Sequence, residues 1–115
     1  MSSEKNMKML VGETPTWRLT LKRDGDFFDP TGATDFETRV LSNDGETELV
    51  IPFADHSIVS GPGGEIDVDT SNIDTSTIKL GKQPVLTKVV LAGKTYKFLG
   101  LNILEVRSCD LKDNL

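Results

Sequence analysis

Two clusters of aspartate are the residues whose spacing in this sequence suggests chemistry. Calcium is bound by several oxygen ligands, and closely spaced carboxylates can supply them. Neither cluster has the DxDxDG spacing with a distal glutamate, and aspartate is also common in turns because it hydrogen-bonds to nearby backbone. We therefore predict that both clusters form turns and that folding needs no metal. The clusters are Asp24, Asp26 and Asp29, and Asp67, Asp69 and Asp74.

The other reactive residues occur singly. His56 is the one histidine, and general acid–base chemistry would need an oriented partner that the sequence does not indicate. Cys109 is the one cysteine, which excludes an intramolecular disulfide and a CxxC zinc site. The glycines at 61, 63 and 64 lack the spacing of a phosphate loop. We expect His56 to be a loop residue without a role, and we predict no catalytic residue, no cofactor-binding residue and no enzyme activity.

Length and composition narrow the class of protein. The chain has 115 residues and a formal net charge of −5, with 37% hydrophobic and 27% charged residues, which fits one globular domain. Lysine and arginine are scattered, so neither nucleic acid nor an anionic membrane surface is an expected partner. No run approaches the ~20 apolar residues of a membrane span. The N-terminus lacks the apolar run of a signal peptide, so we expect synthesis in a cytoplasm.

Short runs rich in β-branched and aromatic residues alternate with glycine-containing turns, which is typical of an all-β sandwich or barrel. Alternation predicts strands at 17–22 and 34–40, short strands near 49–51 and 65–68, and a hairpin over 86–99. Residues 70–80 favour turns and allow one helical turn at most. The inward positions of these runs predict the core. They are Trp17, Leu19, Leu21, Phe36, Val40, Val89 and Phe98.

Phe27 and Phe28 are adjacent in a stretch between two turns, Asp24-Gly25 and residues 29–32. Neighbouring side chains of an extended segment point to opposite sides, so only one of the two can cap the core. We predict that Phe28 does so and that Phe27 is at least partly exposed. An exposed aromatic beside a turn is a common anchor of protein interfaces, which makes Phe27 a candidate partner contact.

The C-terminal segment 98–106 is more apolar than one face of a sandwich requires, with an apolar set on each side of the strand. A two-layer sandwich has no third layer to cover its outer face, which favours a partner protein or a second copy there. The alternative is a bulge at Gly100 that returns all these side chains to one core. The candidate contact set is Leu99, Leu101 and Ile103, and the opposite set is Phe98, Leu104 and Val106.

The order of these signals resembles a pattern of tailed phages and prophages. Gly12-Glu13-Thr14 leads to an alternating strand, the Asp24-Gly25 turn, the segment DPTGAT at 29–34 and a second strand at 36–40. A glycine turn, a short strand and a final hairpin with its closing strand follow. The family is the N-terminal immunoglobulin-like domain of phage baseplate upper proteins and related small tail proteins, and the resemblance extends over about residues 9–106.

The resemblance implies an immunoglobulin-like antiparallel β-sandwich at 9–106, between a flexible segment at 1–8 and a C-terminal tail at 107–115. It implies a non-catalytic role in the virion, in tail or baseplate assembly, with other virion or tail proteins as partners and synthesis in a host bacterial cytoplasm. The alternative is an immunoglobulin-like module that binds carbohydrate or a peptide. Such a module would need exposed aromatic platforms, and alternation puts the single tryptophan, Trp17, inward.

Overall fold

The computed structural model describes residues 5–42, 44–76 and 78–107, with the side chains of residues 5, 6, 100 and 101 excepted. Over these residues the chain forms ten strands and one turn of 3-10 helix at Phe53–Asp55. The strands are β1 (Lys5–Leu10), β2 (Thr16–Thr20), β3 (Lys22–Arg23), β4 (Asp26–Phe27), β5 (Asp35–Leu41), β6 (Thr47–Ile51), β7 (His56–Ser60), β8 (Glu65–Asp69), β9 (Gly81–Leu91) and β10 (Lys94–Arg107).

The strands form two packed sheets and a small hairpin. The larger sheet has the order β1-β10-β9-β5-β6, the smaller sheet has the order β2-β8-β7, and β3 pairs with β4. This partition corresponds to the immunoglobulin arrangement, in which strands B, E and D face strands C, F and G, and here β1 and β6 extend the second sheet at its two edges. The chain is therefore an all-β sandwich of immunoglobulin type, as the sequence predicts.

One hydrophobic core fills the space between the sheets, and both sheets contribute to it. Strand β2 shows the origin of the core most simply, because Trp17 and Leu19 are buried while Arg18 between them is exposed. In β5 the alternation buries Phe36, Thr38 and Val40 in the same way. The predicted core is confirmed, since every one of its seven residues is at most 4% exposed.

The sandwich begins earlier in the chain than the sequence indicates. Strand β1 runs parallel to β10, and Met7 and Met9 are buried. Residues 5–8, expected in a flexible segment, are therefore part of the larger sheet, which is mixed and not purely antiparallel. Because this pairing joins residues that are distant in the sequence, no local sequence pattern predicts it. At the other end Arg107, the first residue of the predicted tail at 107–115, is the last residue of β10. The rest of that tail, with Cys109, lies outside the described residues.

The segment between Leu21 and Asp35 folds as a hairpin followed by a turn. Asp24 and Gly25 both have positive φ, 54° and 85°, which is the two-residue turn that suits a tight hairpin. Phe28 turns inward, with its ring centroid 4.8 Å from that of Tyr96 and 5.0 Å from that of Phe98. The prediction that Phe28 caps the core and leaves Phe27 exposed is confirmed.

The glycine turn at 61–64 fits against the base of this hairpin. The N–H of Leu21 donates to the carbonyl of Gly64 at 2.7 Å, and the N–H of Phe28 donates to the carbonyl of Leu21 at 2.9 Å. Gly64 has a φ of +64°, and a Cβ there would lie 2.5 Å from the carbonyl oxygen of Leu21. Only glycine fits this position without displacing backbone.

Strand β10 contains an insertion and then joins the two sheets. Leu99 pairs with Leu86 and Asn102 with Val85, so two extra residues, 100 and 101, lie between paired positions. Asn102, which is 2% exposed, accepts a hydrogen bond from the N–H of Thr20 at 3.3 Å and donates to the carbonyl of Thr20 at 3.2 Å. Because Thr20 ends β2, this amide ties the larger sheet to the smaller one.

We expect Gly64→Ala to lower the free energy of unfolding by about 3 kcal/mol, combining left-handed strain of about 1–2 kcal/mol with a backbone collision. Gly12→Ala is the matched control, because Gly12 has a φ of +88° and nothing lies within 4 Å of the added Cβ. The control should lose only the strain, about 1–2 kcal/mol. Chemical denaturation measures both values, and equal losses would contradict the close approach at Gly64.

We expect Asn102→Ala to lower the free energy of unfolding by about 2 kcal/mol, because the backbone N–H and the carbonyl of Thr20 both lose their hydrogen-bond partner. Asn72→Ala serves as the control, since the exposed Asn72 amide only donates to Asp55 at 3.0 Å. The control should change stability by no more than about 0.5 kcal/mol. The two variants behaving alike in urea unfolding would mean that the amide does not join the sheets energetically.

Candidate contact surface

The outer face of the larger sheet carries a row of exposed apolar side chains. Val50 pairs with Arg39, Arg39 with Leu86, and Leu86 with Leu99, so the four residues lie side by side across β6, β5, β9 and β10. Leu99 is 59% exposed and Val50 is 43% exposed, while Leu86 between them is half-buried. We call Val50, Leu86 and Leu99 the outer row.

The outer row continues toward the end of β10. Ile103 pairs with Pro84, and both are half-buried on the same outer side of the sheet. Leu99 and Ile103, which the sequence nominates as contact residues, are thus brought to one face. The side chain of Leu101 lies outside the described part of the structure. The alternative in which a bulge returns this whole set to the core is wrong, because Leu99 is exposed although the irregularity is present.

Charged side chains border the outer row on one side. A cleft of about 220 Å³ is lined by Leu86 and by four charged residues. Lys97 pairs directly across the sheet with Lys88, so two like charges are neighbours there. The lining charges are Glu37, Arg39, Lys88 and Lys97, with Arg39 bound to Glu37 at 2.6 Å.

Phe27 lies apart from the outer row, in the β3–β4 hairpin. Its ring is 55% exposed, and the ammonium of Lys22 lies 4.9 Å from the ring centroid. The sequence predicts both Phe27 and Leu99 as contact residues, but the two residues belong to different sheets. Phe27 therefore stays a separate candidate contact.

The single histidine has a structural position instead of a loop position. His56 begins β7 and stacks on Phe36, with ring centroids 5.5 Å apart. Its Nδ1–H donates to the carbonyl of Pro52 at 2.7 Å, and its Nε2 accepts from the hydroxyl of Thr38 at 2.7 Å. A hydroxyl bound to an imidazole is the arrangement of an activated nucleophile. Thr38 is 0% exposed, however, so no substrate reaches it and the pair connects the two sheets.

The aspartate clusters act in turns only in part, because Asp26 lies in β4 and Asp67 lies in β8, where it binds Arg18. The Asp29 carboxylate accepts from the N–H and the hydroxyl of Thr31, and these hydrogen bonds lower the pKa of Asp29. Asp74 makes the same two contacts with Ser76, and they lower its pKa likewise. Among the residues that the structure describes, no group of three or more histidine, cysteine, aspartate or glutamate side chains is arranged to hold a metal ion.

A second cleft, of about 270 Å³, lies beside the start of β9. Its lining residues are Ser42, Asp44, Lys79, Leu80 and Gln83. Gln83 carries a buried amide oxygen without a hydrogen-bond partner, but the same burial keeps that oxygen away from anything that enters the cleft. Asp44 is engaged by the Ser42 hydroxyl, which lowers the pKa of Asp44. The cleft therefore offers little for a specific ligand.

Sequence reasoning missed two members of the outer row. Val50 appears in the sequence as part of a short strand, and Leu86 as part of a hairpin. Each lies on its own strand at an outward position, but only the register of four strands puts them beside Leu99. The signal available in the sequence is an apolar residue at the outward phase of an alternating strand.

A scan against models of protein families finds no match to the chain, and a search of curated proteins finds no significant one. The resemblance to phage tail domains therefore stays a prediction. No helix within the described ranges is both long and apolar enough to cross a membrane.

The His56 contacts generate a prediction about pH. Burial lowers the pKa of His56 from its ordinary value of 6.5, outweighing the hydrogen bond to Pro52. The unfolded chain therefore binds more protons than the folded chain as the pH falls through about 6.5, and stability declines with falling pH. The slope contributed by this one site cannot exceed about 1.4 kcal/mol per pH unit.

His56→Gln should remove that contribution. We expect the free energy of unfolding of the wild type to fall from about pH 7.5 to about pH 5.5, while the variant shows a flatter profile in urea denaturation. His56 is the only histidine, so the difference between the two profiles isolates its titration. Parallel profiles would contradict the neutral, buried imidazole.

Proposed function

We propose that this chain is a non-catalytic structural protein of a phage or prophage particle, acting in tail or baseplate assembly through protein–protein contacts. It would be made in the bacterial cytoplasm and become part of the virion. The observation that carries the contact role is the outer row on the larger sheet. Leu99 lies beside Leu86, and Val50 lies beyond Arg39 in the same cross-strand row; Val50 and Leu99 are both over 40% exposed.

The outer row supports a contact role for a physical reason. An antiparallel sheet with one solvated face usually alternates apolar residues inward with polar residues outward. Here β10 is apolar on both sides, since Phe98 and Leu104 are buried and Leu99 is exposed. Scattered exposed apolar residues need no explanation, but aligned ones bordered by charges are typical of interaction sites.

The particle role rests on the family resemblance. The motifs that carry it occupy adjoining places in the fold, because the DG turn closes the β3–β4 hairpin and the DPTGAT segment leads into β5. An immunoglobulin-type sandwich hosts many functions, so the fold itself is neutral between them. The order of the motifs is what favours a tail protein.

The rival function, a carbohydrate- or peptide-binding module, has less support. Aromatic platforms are the usual means of holding a sugar ring, and the largest aromatic, Trp17, is 3% exposed. Tyr96 is half-buried and packs against Phe28, with the guanidinium of Arg23 on its ring. Phe27 and Phe53 are the exposed aromatic rings, and they belong to different elements.

The direct test is mass spectrometry of purified particles from the strain that encodes this chain. We expect peptides of the chain to co-purify with particles in a fixed ratio to other structural proteins. A chain that is abundant in the lysate and absent from particles would overturn the proposal.

Substitution tests the contact surface in the same particles. Leu99→Ser should reduce incorporation of the chain by about tenfold or more, because the outer row loses its most exposed apolar member. Leu80→Ser is the matched control, since Leu80 is 58% exposed and lies outside the row. Phe27→Ser tests the hairpin separately. Equal incorporation of the Leu99 and Leu80 variants would remove the outer row as the contact.

A further inference from the structure

Each outer face of the sandwich carries a cluster of charged residues, and the excess charge of the two clusters is opposite in sign. On the smaller sheet, β8 directs Glu65, Asp67 and Asp69 outward at alternate positions, while Ile66 and Val68 between them are fully buried. Successive outward residues of a strand are about 7 Å apart, so these carboxylates repel one another. Arg18 binds Asp67 at 2.9 Å and relieves only part of that repulsion.

An exposed apolar residue lies at the free edge of the smaller sheet, next to the residue that pairs with Glu65. Val59 is the extra residue where β7 is irregular, because Ile58 pairs with Ile66 and Ser60 pairs with Glu65. It is 43% exposed and lies at the free edge of the smaller sheet. We call Glu65, Asp67, Asp69 and Val59 the acidic face.

On the larger sheet the excess charge has the opposite sign, because three cations, Arg39, Lys88 and Lys97, lie among two carboxylates, Asp35 and Glu37. Lys88 and Lys97 are direct neighbours across β9 and β10, and Glu37 pairs with Lys88 from the other side. Arg39, bound to Glu37 at 2.6 Å, lies in the next outward row. Lys88 approaches Asp35 at 3.6 Å, whereas Lys97 makes no ion pair with the described residues. These cations surround Leu86 and Leu99, so we call Lys88, Lys97, Leu86 and Leu99 the basic face.

We propose that the basic face of one copy docks on the acidic face of a second copy. This inference rests on the proposed function and names the partner of the outer row. On each face, ion pairs within the chain neutralise only some of the like charges. Each face also has exposed apolar side chains beside these charges. Docking would place the lysines beside the carboxylates and cover Leu99 together with Val59, which relieves both repulsions.

The position of the faces determines the symmetry. The acidic face lies on the outer side of one sheet and the basic face on the outer side of the other, so the two cannot meet within one chain. Contacts between different faces are heterologous, and each bound copy presents a fresh face of each kind. The expected product is a head-to-tail stack or a closed ring, not a two-fold dimer.

The first experiment measures the mass of the full chain by sedimentation or light scattering. The weight-average mass should rise above that of the monomer between about 10 µM and about 1 mM, a range typical of weak specific contacts. Association should weaken by about tenfold in about 1 M salt, where charges are screened beyond ~3 Å. A strict monomer throughout this range would overturn the proposal.

The second experiment uses one variant for each face. Lys97→Glu with Leu99→Thr alters the basic face, and Val59→Thr with Glu65→Gln alters the acidic face, so the two altered faces do not attract each other in a mixture. Each variant should be monomeric alone. Lys94→Glu with Leu80→Thr makes the same chemical changes at exposed positions outside both faces, so this control should associate as the wild type does. Thermal melts verify folding, and single-charge variants replace any double variant that fails to fold.

Mixing the two face variants separates head-to-tail contact from two-fold contact. The variant with an altered basic face keeps an intact acidic face, and the other variant keeps an intact basic face. An equimolar mixture should therefore form a one-to-one dimer that does not grow further. A mixture that stays monomeric, or either variant associating alone like the wild type, would overturn the proposal.

The outcome is independent of the particle role. A chain that is monomeric in solution but found in purified particles would overturn the head-to-tail contact and support the proposed function. A chain that self-associates through these faces and is absent from particles would do the reverse.

Discussion

The irregularity in β10 is the constraint on which the rest of the sandwich depends. Side chains of a strand alternate between faces, so an insertion of one residue would exchange the inner and outer sets beyond it. Here the insertion has two residues, and the alternation continues in phase. Phe98 before it and Asn102 and Leu104 after it all point inward. The same parity keeps Leu99 and Ile103 on the outer side.

Two polar connections then fix how the sheets face each other. At the β2 end of the smaller sheet, the Asn102 amide holds both backbone groups of Thr20. At the β7 end, His56 holds Thr38, which lies 3.3 Å from the hydroxyl of Thr87. Apolar packing alone is non-directional, whereas a buried amide or imidazole loses its partner if the sheets slide. The hydrophobic core stabilises the sandwich, and these two connections define its alignment.

The sequence predicts well what depends on local alternation. Trp17, Leu19 and Phe36 are buried because period 2 marks one face of each strand, and the DG turn has the backbone that its residues favour. Pairing between distant segments leaves no such mark. Strand β1 is formed by pairing with β10, which is about 90 residues later in the chain. The local sequence of residues 5–8 therefore does not predict a strand.

The candidate surface was predictable only in part, for the same reason. Leu99 and Ile103 follow from the excess apolar content of one strand, and the exposure of Phe27 follows from its neighbour turning inward. Val50 and Leu86 join them only through the register of the sheet. The sequence does not indicate the role of His56, because Thr38 becomes its neighbour only when the sheet of β7 packs against the sheet of β5.

The net charge of the chain does not show how the charged residues are distributed over the fold. A net charge of −5 with scattered lysines describes the chain, but strands sort alternate residues onto opposite faces. Lys88 and Lys97 are distant in sequence order yet adjacent across a hairpin, and the carboxylates of β8 align because one residue separates each from the next. Folding therefore sorts the charged residues so that cations are in excess on one outer face and carboxylates on the other. The alternate, buried residues of the same strands form the core. A shift of one residue in the register of a strand would therefore turn core residues outward together with the charged residues turning inward.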